Sequence, residues 1–117
     1  GGFTKRVLVA LHNNSPDRYS IQSYQEGGSE YKSATDEVSI NPEKDPDDFY
    51  LVTEKRIYDG LKAKGYNVVL QRRGATDDGS LSVFCDRRGL IYVNVEAQEG
   101  RKRERVQREM LLALARM

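Results

Sequence analysis

The sequence predicts an α/β fold: a mixed, mainly parallel sheet of about five strands flanked by helices. Three observations carry that expectation. Val7-Leu8-Val9-Ala10-Leu11 and Leu90-Ile91-Tyr92-Val93-Asn94-Val95 are nearly continuous apolar runs, as in strands covered on both faces. Each run ends in a polar residue, His12 and Glu96 respectively. A third short apolar strand, Asn67 to Leu70, comes directly after a helical pattern, which is the rhythm of a parallel sheet.

The bulk composition bounds the rest. A chain of 117 residues is read as one domain, 1–117, long enough to bury a core without staples. Hydrophobic content is 38% and charged content 32%, so polar loops are expected beside the core. The net charge of +1 provides no global attraction to nucleic acid or to a membrane surface. Cys85 is the single cysteine, so no internal disulfide forms. It lies in the apolar run Leu81–Cys85 and reads as a buried thiol, which fits a reducing compartment. No apolar stretch approaches the about 18 residues of a membrane span, and no signal peptide is visible. These features assign no compartment. Gly1-Gly2 reads as a trimmed boundary and leaves open a natural chain that begins earlier.

In chain order, residues 5–11 are expected to form the first strand, followed by turn chemistry at Asn13-Asn14-Ser15-Pro16-Asp17. Tyr19 to Tyr24 alternates and reads as a half-buried strand. Residues 25–47 are polar and read as a long loop, with only Val38-Ser39-Ile40 as a short strand. Asp45-Pro46-Asp47-Asp48 carries a helix-start signature, and Thr53 is a rival cap for a later start. Ile57 and Leu61 mark that helix's apolar face, Phe49 its anchor and Gly65 its end. After Asn67 to Leu70 and a Gly74–Gly79 loop, Leu81–Cys85 and Leu90–Glu96 read as strands joined by a hairpin-like turn. A helix from about Arg101 closes the chain, with Val106, Met110, Ala113, Leu114 and Met117 as its core stripe.

Ligands in open α/β sheets bind beyond the carboxyl ends of the strands. His12, the only histidine, and Glu96 stand at two such ends. An imidazole suits zinc, and a glutamate beside it suits a general base. The alternative is that His12 caps a strand and Glu96 faces solvent. Asp17, Glu30, Asp36, Asp77 and Asp78 are loop carboxylates that could contribute ligands if their loops fold over the same sheet edge; their spacing matches no metal motif, so solvated loops are the stronger reading. Arg72 and Arg73 follow the strand ending at Leu70. Were that strand parallel to the first, they would share an edge with His12 and could clamp a substrate carboxylate. Tyr19, Tyr24 and Tyr31 surround the long loop and read as packing or as a groove lining.

The order of these motifs resembles the second half of the zinc-dependent N-acetylmuramoyl-L-alanine amidases and, more distantly, the zinc carboxypeptidases. The resemblance rests on Ala10-Leu11-His12-Asn13-Asn14 against a Ser-Ile-His-Ala-Asn type motif, and on Val95-Glu96-Ala97-Gln98-Glu99-Gly100 against Val-Glu-Thr-Gly-Phe. It implies amide hydrolysis in a peptide or peptidoglycan-like substrate. In that picture His12 ligates zinc, Glu96 is general base and then acid, and Asn14 orients the site. Arg72 or Arg73 would hold a substrate carboxylate. The first half of the family's domain, which supplies the remaining ligands, has no counterpart here, and the Gly-Phe following the glutamate is absent. A non-catalytic, immunity-like binding module is the other reading. It would meet an acidic protein partner through the 25–47 loop and the basic turn Arg101-Lys102-Arg103-Glu104-Arg105. A nucleic-acid partner is disfavoured by the near-zero charge and the lack of a recognised motif.

Overall fold

The computed structural model describes residues 7–14, 20–28, 35–71, 88, 90–98 and 103–117, and of residues 12–14 and 98 the backbone alone. Its strands are β1 (Val7–Asn14), β2 (Thr35–Ser39), β3 (Phe49–Val52), β4 (Val68–Gln71) and β5 (Ile91–Gln98). Its helices are α1 (Lys55–Ala63) and α2 (Arg103–Ala115), with a 3-10 turn over Ile21–Tyr24. The five strands form one sheet in the order β1-β5-β3-β4-β2. The fold is α/β, as expected, but the sheet is mixed rather than mainly parallel. β1–β5 and β3–β4 are parallel, while β3–β5 and β2–β4 are antiparallel.

Side chains alternate across a strand, so the register divides the sheet into two faces. On the first face, Tyr50, Val52, Val68, Leu70, Ile91, Val93 and Val95 pack with Ile57, Tyr58 and Leu61 of α1 and Met110 of α2. Val106, Leu114 and Met117 pack against the same cluster, and Ala113 is buried, so the expected stripe of the last helix holds. Two hydrogen bonds tie α2 down. The Tyr50 hydroxyl donates to the Met110 carbonyl at 2.7 Å, and Lys64 Nζ to the Ala113 carbonyl at 3.1 Å. On the second face, Phe49, Leu51 and Val69 pack against Ile21 and Tyr24 of the 3-10 turn.

Several elements differ from the sequence expectation. Ser20 and Ser23 close a reciprocal capping box around the 3-10 turn, so Ile21 to Tyr24 coils instead of extending. Its two buried residues, Ile21 and Tyr24, are three apart, one turn of such a helix. Asp45 starts a turn rather than a helix: its Oδ1 accepts from the Asp47 N–H at 2.9 Å and its carbonyl from the Asp48 N–H at 3.0 Å. That turn launches β3, whose four residues are buried on both faces. The helix begins only at Lys55, with Glu54 as N-cap. Thr53 cannot cap it, because its hydroxyl accepts from the Tyr92 N–H of β5 at 3.1 Å. Gly65 does end the helix, at φ 82°. The Gly65 N–H donates to the Lys62 carbonyl and the Tyr66 N–H to the Leu61 carbonyl, the Schellman pair that a left-handed residue permits.

β2 spans Thr35–Ser39 rather than Val38 to Ile40. β1 and β5 each run further toward their carboxyl ends than the apolar runs suggest. The expected strand Leu81–Cys85 with its cysteine, the Gly74–Gly79 loop, Tyr19, Tyr31, Arg101 and Lys102 lie outside the described residues. Among the described residues, no helix is long and apolar enough to cross a membrane.

Candidate functional site

β1 and β5 pair in parallel with His12 opposite Glu96 and Asn14 opposite Gln98. Neighbouring strands lie about 4.8 Å apart, so His12 and Glu96 are adjacent in the ladder. They do not stand beyond the strands, as the apolar runs imply. They sit two rungs inside the carboxyl end, because the ladder continues through Asn13–Ala97 and Asn14–Gln98. Asn13 and Asn14 are poor strand formers by themselves. Pairing with Ala97 and Gln98 holds them extended.

On its other side β5 meets β3, with Phe49 opposite Glu96 and Leu51 opposite Asn94. Phe49 and Leu51 belong to the apolar cluster of the second face. Asn94 and Glu96 therefore share that face with them and lie on the opposite side of the sheet from both helices. Asn94 is 6% exposed, and Glu96 is half-buried. Asn94 Nδ2 donates to Glu96 Oε1 at 3.0 Å, while Asn94 Oδ1 is buried with no hydrogen-bond partner. Alternation along β5 places Asn94 on the same face as Glu96. The sequence signal for Asn94 is a lone amide inside an apolar run, two residues before the candidate base.

The other candidates separate from this pair. β4 is parallel to β3, which is antiparallel to β5 and hence to β1. β4 therefore ends at Gln71 on the edge opposite His12, and the condition that would bring Arg72 and Arg73 to His12 is not met. Arg72 and Arg73 themselves lie outside the described residues, as do Asp17, Glu30, Asp77 and Asp78. Asp36 is exposed on β2, at the far end of the strand order from β1. Tyr24 is a core residue, its ring 5.8 Å from that of Phe49. In the basic turn, Arg105 Nε lies 3.7 Å from Glu109 Oε1, an exposed pair of small energetic weight.

A groove of about 360 Å³ opens between β2 and α1, lined by Asp36, Glu37, Lys55, Tyr58 and Lys62. Lys55 Nζ contacts Glu37 Oε2 at 2.6 Å and Asp59 Oδ1 at 3.2 Å. Those bonds, Glu37's first, hold the Lys55 ammonium above its ordinary pKa. The groove is thus a solvated ion-pair surface, three strands removed from β5 in the sheet order.

Among the described residues, no group of three or more histidine, cysteine, aspartate or glutamate side chains converges to hold a metal ion. The register partners His12 and Glu96 do bring together an imidazole-bearing and a carboxylate-bearing residue, donor types that zinc accepts. No known protein family, curated protein or solved structure matches the chain.

Proposed function

We propose that the chain is a hydrolase-type domain that cleaves an amide bond in a peptide or peptidoglycan-like substrate. The observation that carries this reading is the register of His12 with Glu96. The only histidine of the chain is thereby the register partner of a glutamate whose carboxylate accepts from the Asn94 amide. The resemblance to zinc amidases supports the same assignment. His12 would hold zinc, which when bound supplies Lewis acidity toward the amide carbonyl and toward water. Glu96 takes a proton from the attacking water and returns it to the departing nitrogen, the two halves of general acid–base work. The Asn94 amide holds Glu96 from one side, and Phe49 keeps that side apolar. Asn14, two residues beyond His12 on β1, is the candidate for orienting the ligand side.

Zinc content after dialysis tests this. The wild-type chain is expected to retain close to one zinc per chain and to release L-alanyl-D-isoglutamine from muramyl dipeptide. His12→Ala should retain none and release none. A wild-type chain without zinc, or equal zinc in both proteins, would remove His12 from the site.

A further inference from the structure

The two strands at the ends of the sheet order, β1 and β2, are built in opposite ways. A strand at a sheet edge presents backbone N–H and C=O groups that template another strand, and proteins blunt such edges with charge, bulges and short length. β2 uses all three devices. It has five residues, its ladder to β4 is irregular between Thr35 and Glu37, and Asp36 and Glu37 are exposed on it. β1 uses none of them. It pairs with β5 over eight consecutive rungs without a register shift, and Val7 to Leu11 contain no charged residue and no proline. Val7 to Ala10 are half-buried and Leu11 is 48% exposed. Among the described residues, no strand pairs with the outer side of β1. The strand thus has the apolar run of a central strand at an edge position, and another strand is what completes it.

We propose that the occupant of this edge is β1 of a second copy, paired antiparallel across a two-fold axis normal to the sheet. Two-fold pairs are the commonest assemblies of identical chains, and each copy then meets the same patch of the other. Centred on Val9, the pairing sets Val9 opposite itself, Leu8 opposite Ala10 and Val7 opposite Leu11. Every one of these positions is apolar, so no like charges are brought together. Residues directly opposite in an antiparallel pair lie on one face, and these partners have matching alternation along β1. The exposed Leu11 of each copy therefore meets Val7 of the other, beside the cluster under α1 and α2 in which Val7 and Val9 pack. The axis joins the two five-stranded sheets into one, with the helices of both copies on one side and both Glu96 residues on the other. A net charge of +1 per chain opposes the association only weakly. The pairing does not depend on the chemistry at Glu96.

Sedimentation equilibrium of the whole chain, from micromolar to sub-millimolar concentration, tests this together with hydrogen exchange of the β1 amides. One strand on each side makes a small interface, so the wild type should approach the mass of two chains at the upper end and of one on dilution. The outward-facing half of the Val7–Leu11 amides should gain protection as the dimer forms. Leu11→Lys should weaken the dimer by about tenfold or more, because each copy then sets an ammonium against the apolar strand of the other. Leu112→Lys, at an exposed leucine on α2, should leave it within about threefold. The wild-type mass and protection do not rely on either variant folding. A wild type with the mass of one chain throughout overturns the proposal. Protected outward amides would then mean that another segment of the same chain covers the edge, and unprotected ones that the edge is left to a strand of another protein. A dimer indifferent to Leu11→Lys, or equally weakened by Leu112→Lys, also overturns it.

Discussion

Asn67 and Asn94 are both more than nine-tenths buried, at 1% and 6% exposure, and both flank or occupy a sheet strand. Asn67 Oδ1 accepts from the Asn41 N–H at 2.6 Å, and its Nδ2 donates to the Asp45 carbonyl at 3.2 Å. Asn41 answers by donating its own side-chain amide to the Gly65 carbonyl at 2.8 Å. Every atom of the Asn67 amide holds a loop in place. Asn94 spends its nitrogen on Glu96 and leaves its oxygen without a donor. The first asparagine is built for folding. The second carries a desolvation cost that the fold does not recover. The two faces of the sheet also differ: an apolar cluster that includes Tyr50 and Tyr58 lies under both helices on one, and Asn94 and Glu96 share the other with Phe49 and Leu51.

The largest effect on stability should come from the helix face. Ile57→Ala removes a fully buried side chain from between α1 and the sheet, and should cost about 2–5 kcal/mol in urea unfolding. The asparagines should then part company. Asn67→Ala strips two hydrogen bonds and strands a loop N–H, at a cost of about 1–3 kcal/mol. Asn94→Leu removes an oxygen without a donor together with the Nδ2 bond to Glu96, two effects that oppose each other, and should change stability by no more than about 1 kcal/mol. Equal losses at the two positions would erase the contrast. Tyr50→Phe, which deletes the 2.7 Å bond to the Met110 carbonyl, should cost about 0.5–1.5 kcal/mol. Burial holds the Tyr50 hydroxyl well above its ordinary pKa, so it should stay protonated through an alkaline titration.

Asp47 should show the smallest effect. Burial first, and the Asp45 carboxylate second, raise its pKa above the usual value of 3.8. A carboxyl raised in the fold binds its proton more tightly folded than unfolded, so stability falls as pH rises through that range. Asp47→Asn should therefore gain stability at pH 7, by no more than about 0.5 kcal/mol, and gain none below about pH 3. A larger gain at the lower pH would reverse the sign.

How much of this was legible follows from the kind of signal each element carries. β5 carries an unbroken apolar run because it is buried. β1 carries the same kind of run at the end of the strand order, with Val7 to Ala10 half-buried and Leu11 48% exposed, so it is not covered on both faces as its run suggests. The α2 stripe is legible because helical spacing survives in Met110 and Ala113. β3 was hidden. Phe49-Tyr50-Leu51-Val52 alternates between two buried faces and so shows no period, and the acidic turn before it carries the same residues as a helix cap. Tyr19 to Tyr24 misled for the opposite reason: alternation over a few residues was outweighed by the Ser20–Ser23 capping box. His12 and Glu96 were readable as strand-end residues. Their register, and the position of Asn94 beside the carboxylate, depend on pairing between residues far apart in the chain. The edge at which β4 ends depends on strand direction, which composition does not encode.

The most direct test of the account compares the wild type with Glu96→Gln in cleavage of muramyl dipeptide, each with a thermal melt. The account predicts superimposable melts and a rate lower in the variant by about 10²–10⁴-fold, the span of general acid–base catalysis. Equal rates from two folded proteins would contradict it and leave the β1–β5 pair as framework alone.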